Sequence, residues 1–279
     1  MQQLIDTHGY IGSNQILKVD VRPEQYRALQ KESIASHNLS PRFLVMTYSI
    51  PDNFNLPDWV DQNPDLFLGG IAQINPNRAR ERIAGYISIS QLESLIKTGK
   101  IVAIKLNTAG TLTRVDDPSV DDFAKVATDY NIPLVVHCSA TGQKFTHPDY
   151  FRRLKDRHPD LTVVCAHYGG LNENYTPSYI HLIHEFPDIF LNTVGFSGEI
   201  ARRDFNQDPS IVHHDNTPER WIRVFLDTIT EIQDRVVFGT DFPELRFTLH
   251  PVDQADKAVQ EKLFYHNPVR VFRLEDRIQ

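Results

Sequence analysis

The feature that most constrains this chain is a series of short, almost continuously apolar runs rich in β-branched residues, spaced from one end to the other. They are QQLIDTH (2–8), RFLVMTY (42–48), LFLGGIAQI (66–74), KIVAIKLN (100–107), IPLVVHC (132–138), LTVVCAH (161–167), IFLNTVG (189–195) and RVVFGTD (235–241). Runs without in-out alternation suit strands covered on both faces, the condition of a parallel sheet. Stretches of helical period lie between them: Ile89, Leu92, Leu95 and Ile96 form one stripe, Val120, Phe123, Ala124 and Ala127 a second, and Ile222, Phe225, Leu226 and Ile229 a third. Asp117-Pro118, Thr176-Pro177 and Thr217-Pro218 each place a capping side chain before a proline, a helix start in which the missing N–H costs nothing.

Eight strands alternating with helices in 279 residues predict an α/β chain folded as a single (β/α)8 TIM barrel over residues 1–279. The competitor, an open doubly wound sheet, calls for a glycine-rich phosphate loop after the first strand, and none follows it. The longest interval separates the seventh and eighth runs. Its segment 196–217, FSGEIARRDFNQDPSIVHHDNT, is polar and irregular and reads as a loop insertion over the active-site end.

A net charge of −7 with no basic run argues against a nucleic-acid partner. No apolar stretch approaches the ~18 residues of a membrane span, and no signal-peptide pattern opens the chain. Cys138 and Cys165 sit inside apolar runs, as buried thiols in a reducing compartment do. A cytoplasmic protein with a small-molecule substrate and no membrane partner is expected.

In a barrel of this kind the C-terminal strand ends surround one site. Here they carry Asp6 and His8, Lys105 and Asn107, His137, His167, Asn192 and Asp241. A single strand-end histidine is usually structural, and a strand-end aspartate often caps the next helix. Three histidines and an aspartate converging from four strands suit a divalent ion, zinc above all, with a position open for water. Such an ion lowers the pKa of its water to about 7 and polarises a carbonyl.

These residues, together with the runs VVCAHYGG and VVFGTDFP, the segment HPDYFRRLKDRHPDLTVVCAHYGG (147–170) and KLFYHNPVRVFRL (262–274), resemble the amidohydrolase superfamily. The likeness is to its branch of small barrel hydrolases and decarboxylases that includes aminocarboxymuconate-semialdehyde decarboxylase. The resemblance implies metal ligands at His8, His137 and Asp241, a catalytic histidine at His167, and a homodimer, as is common in the branch. It also exposes a departure. The branch usually has His-x-His at the end of the first strand, and here the second histidine is Tyr10, a neutral phenol and a poor zinc donor.

Three readings stay open: one metal held by three ligands, metal-free catalysis with Asp241 as general base, or a degenerate barrel that only binds a ligand. A variant of the first carbamylates Lys105 and places a metal with His137 and His167. The favoured chemistry is attack of a metal-bound or Asp241-activated water on an ester, lactone or amide carbonyl, with decarboxylation of a small unsaturated or aromatic acid as the alternative. Tyr10, Lys105, Asn107, Tyr168, Arg202 and Arg203 are the expected substrate-facing residues, the arginine pair as a clamp for an acid. Asp6, two positions before His8, is expected to support a ligand histidine, and His147 to start a helix.

Overall fold

The structure is a computed structural model that describes residues 2–14, 18–138, 143–169, 176–194, 218–243 and 252–278. Among the described residues nine strands form one sheet: β1 (Gln2–Asn14), β2 (Val19–Val21), β3 (Leu39–Thr47), β4 (Phe67–Ile74), β5 (Ile101–Leu106), β6 (Leu134–Val136), β7 (Val163–Cys165), β8 (Ile189–Asn192) and β9 (Val236–Val237). Their spatial order is β2-β1-β3-β4-β5-β6-β7-β8-β9. β2 folds back antiparallel on β1, and the other eight strands run parallel. The sheet closes on itself. Thr7 N donates to Phe238 O at 3.0 Å, Asp241 N to His8 O at 2.9 Å, and Tyr10 N to Phe242 O at 2.7 Å, joining β1 to the segment that follows β9.

All eight apolar runs therefore become barrel strands, and the hairpin strand β2 is an addition that a three-residue element gives no periodicity to announce. β7 and β9 are shorter than their runs: the chain turns through left-handed backbone at His167 (φ 53°) and Tyr168 (φ 51°) after β7, and Asp241 (φ 65°) lies in the segment that follows β9. Helices cover the outside. Ile89–Lys97 buries Leu92, Leu95 and Ile96, and Asp121–Asp129 buries Phe123, Ala124 and Ala127, as their stripes predict. Asp117 accepts from Ser119 N at 2.9 Å, and His147 Nδ1 from Asp149 N at 3.2 Å, so both act as caps at proline-marked starts. Helix Pro23–His37 buries only Tyr26, Leu29 and Ser33, a stripe too sparse to stand out in the sequence. Among the described residues no helix is long and apolar enough to cross a membrane.

The core has two layers. One lies between sheet and helices; the other, with Ile5, Leu44, Leu68, Ala103, Val135, Val164, Phe190 and Val237, fills the barrel. Val271, Phe272 and Leu274 join the inner layer. Arg277 donates to Leu68 O at the start of β4 and to Gly99 O before β5, so the C-terminal segment plugs the end opposite the site.

Candidate active site

Strand period positions the site. Side chains two apart share a face, so Lys105 continues the inward row of Ala103, and His137 that of Val135. On β1 a bulge between Asp6 and Gly9 interrupts the pairing with β3, a device that re-aims side chains. There His8, fully buried, turns Nε2 toward two partners: Lys105 Nζ at 2.6 Å and Asp241 Oδ1 at 3.4 Å. The ring of His167 stands 5.8 Å from that of His8 and 4.4 Å from that of His137, edge-on to both.

The close approach of β1 to the last strand has a specific cause. Gly239 lies where an added Cβ would be 2.7 Å from Asn192 Oδ1 and 2.9 Å from His8 Cβ, so any side chain there would push His8 away. Asp6 ties the two segments together: its carboxylate accepts from His8 N at 3.0 Å, Thr240 N at 3.1 Å and Thr240 Oγ1 at 2.5 Å. Thr7 donates to Phe238 O at 2.7 Å and accepts from Asn192 Nδ2 at 2.8 Å. Asp6 thus supports the backbone of His8 and the turn that presents Asp241, rather than the imidazole of His8.

The electrostatics follow from burial. Desolvation, reinforced by the charge of Lys105, holds His137 down at about 3 and pushes His8 well below the ordinary imidazole range. Burial first, then the neighbouring His137 and Lys105, do the same to His167. All three are neutral at pH 7 and keep a lone pair each. Among the described residues His137 Nδ1 and His167 Nε2 have no hydrogen-bond partner. Asp6, deeply buried, is pushed up to about 6 even though its three hydrogen bonds pull the other way.

His8, His167 and Asp241 each offer a ligand atom, all within 4.8 Å of one another. His137, given a ligand's role by the resemblance, stands outside that trio with its ring against His167. Tyr10 does face the site: its ring centroid is 5.9 Å from that of His8 and 5.7 Å from Lys105 Nζ. Tyr10 stacks on Tyr48 at 4.6 Å and 11°. Tyr48 had no signal in the sequence, because it becomes a wall of the site only when β3 pairs with β1.

Two expected substrate-facing residues make other contacts in the structure. Asn107 caps the short helix Thr108–Thr111, its Oδ1 accepting from Gly110 N at 3.0 Å. Tyr168, turned by the left-handed backbone at 167–168, packs its ring on Phe225 of helix Pro218–Glu231 at 5.4 Å and is 3% exposed. Asn192 supports Thr7 and accepts from Val194 N at 2.8 Å. Arg202, Arg203 and the 196–217 loop lie outside the described residues.

A family profile described as Amidohydrolase matches residues 16–274, most of the chain. The chain belongs to the amidohydrolase family. The matched span begins after His8 and Tyr10. No curated protein sequence matches this amidohydrolase. Among solved structures it is similar to an uncharacterized TIM-barrel protein from Bordetella bronchiseptica, with 16% identity, 98% and 99% of the two chains covered and a TM-score of 0.69. It is similar to a probable 2-pyrone-4,6-dicarboxylic acid hydrolase from Acinetobacter baumannii bound to citric acid, with 16% identity, 97% and 99% coverage and a TM-score of 0.65. A third is 5-carboxyvanillate decarboxylase from Sphingomonas paucimobilis, with 13% identity, 98% and 99% coverage and a TM-score of 0.58. At these identities the likeness concerns the fold.

Proposed function

We propose that this amidohydrolase is an enzyme that hydrolyses a small ester, lactone or amide, with Asp241 as the base. The observation that carries the reading is Asp241 itself: a buried carboxylate on left-handed backbone, aimed at His8 Nε2 among neutral imidazoles. Non-glycine residues held there cost about 1–3 kcal/mol and cluster at functional sites. Asp241 takes a proton from water as its oxygen attacks the carbonyl carbon, and returns that proton to the leaving group when the carbon–oxygen or carbon–nitrogen bond breaks. Lys105 and a donor nitrogen of His167 steady the oxyanion in between. The stacked pair Tyr10 and Tyr48 offers a flat apolar wall to the substrate.

The donor set also fits a borderline divalent ion such as zinc, for the three ligand atoms lie within 4.8 Å and the buried Nε2 of His167 has no hydrogen-bond partner among the described residues. His8, His167 and Asp241 would hold it once Lys105 Nζ had left His8 Nε2, and bound there it would supply a water of lowered pKa and a polarised carbonyl. Decarboxylation is the second reading, favoured by the likeness to 5-carboxyvanillate decarboxylase. The test is a panel of lactones, esters, amides and small unsaturated acids, with proton release and carbon dioxide recorded in parallel. Acid release from a lactone or ester supports hydrolysis. Carbon dioxide without hydrolysis moves the chain to decarboxylation, and silence across the panel leaves a binding barrel.

A further inference from the structure

From the geometry around His8 we infer that the amine of Lys105 and a divalent ion are alternative partners of the same His8 nitrogen. The inference rests on the reading of His8 as part of the site, though not on hydrolysis. An imidazole nitrogen has one in-plane position to offer. Nε2 is the His8 nitrogen that faces Asp241, at 3.4 Å, and it already lies 2.6 Å from Lys105 Nζ. Whichever atom carries the proton, that contact occupies the direction along which a zinc ion would have to approach to about 2.1 Å. Lys105 has little room to yield. It is 1% exposed, rooted in the inward row of β5 and fixed by the register Gln73–Lys105–Val135 across three strands.

Tyr10 points the same way from a second position. The first strand supplies one imidazole and one phenol ring to the site, the latter 5.7 Å from Lys105 Nζ. The amine of Lys105 stands against His8 Nε2, where an exchangeable ion would otherwise reach that nitrogen.

The experiment is zinc titration of the full chain against a chromophoric chelator, for wild type, Lys105→Met, and Lys105→Met combined with Asp241→Asn. We expect weak zinc binding by wild type, an affinity about tenfold or more higher in Lys105→Met, and loss of that gain in the double variant. Equal affinities in wild type and Lys105→Met overturn the inference. So does an equivalent of zinc that survives dialysis of the wild-type chain, a measurement that holds even where Lys105→Met fails to fold; Lys105→Gln, which keeps a neutral donor, then replaces it and should fall between the two. None of these readouts involves turnover. A chain that hydrolyses nothing can still show the zinc gain, and an active hydrolase can lack it.

Discussion

At the residue scale the reading depends on two side chains, Asp241 and Tyr10. Asparagine tolerates left-handed backbone nearly as well as aspartate, so Asp241→Asn should keep the fold, with a melting temperature close to wild type, while turnover of any substrate found in the panel drops at least about a hundredfold, the lower range for a general base. Turnover persisting in that variant would remove Asp241 from the mechanism. Tyr10→His replaces the phenol with a second first-strand imidazole, and zinc affinity should rise. It also removes the stack on Tyr48, which costs about 0.5–1.5 kcal/mol of stability. Flat zinc affinity together with that stability loss would show that the ring packs at the wall without reaching the ligand position.

At the scale of elements the joint between β1 and the segment after β9 is where the barrel closes and the site forms. Asp6 crosses that joint with three hydrogen bonds. Asp6→Ala leaves two buried N–H groups and a hydroxyl without their acceptor, at about 1–3 kcal/mol apiece. Asp6→Asn keeps the amide-facing oxygen and removes a carboxylate that burial already disfavours. Urea unfolding should therefore rank Asn near wild type and Ala lower by about 2 kcal/mol or more; equal losses would mean that the charge, not the hydrogen bonds, holds the joint. The helices were legible where their apolar stripes are dense, as in Ile89–Lys97. Pro23–His37 and β2 were not, because the first buries few residues of its face and the second is shorter than any period that could reveal it.

At the scale of the whole molecule, the site makes the fold sensitive to acid. His8, His137 and His167 have folded pKa values below their ordinary range, His137 at about 3, so the unfolded chain binds more protons once the pH falls below the unperturbed 6.5. Stability present above 6.5 is then lost as the pH falls, each histidine contributing about 1.4 kcal/mol per pH unit. Asp6 acts in the opposite sense. Its folded pKa is raised from 3.8 to about 6, so it favours the folded state more as the pH falls through that window, by a similar slope. With three groups against one, urea unfolding between pH 7 and 5 should show stability falling by about 1–3 kcal/mol per unit of pH. A level profile would show that the histidines are solvated in solution. By itself the sequence determined the barrel and the rank of its strands, because continuous apolar runs and helical stripes are local patterns that only burial in a closed parallel sheet satisfies. It also put His8, Lys105, His137, His167 and Asp241 at the mouth, since strand ends in a barrel converge. Which of them touch was decided by the tertiary structure alone. The 2.6 Å contact of Lys105 with His8, the turning of Tyr168 away to Phe225 and the stack of Tyr48 on Tyr10 depend on interstrand register and left-handed backbone, which arise between segments far apart in the chain and leave no trace in either one.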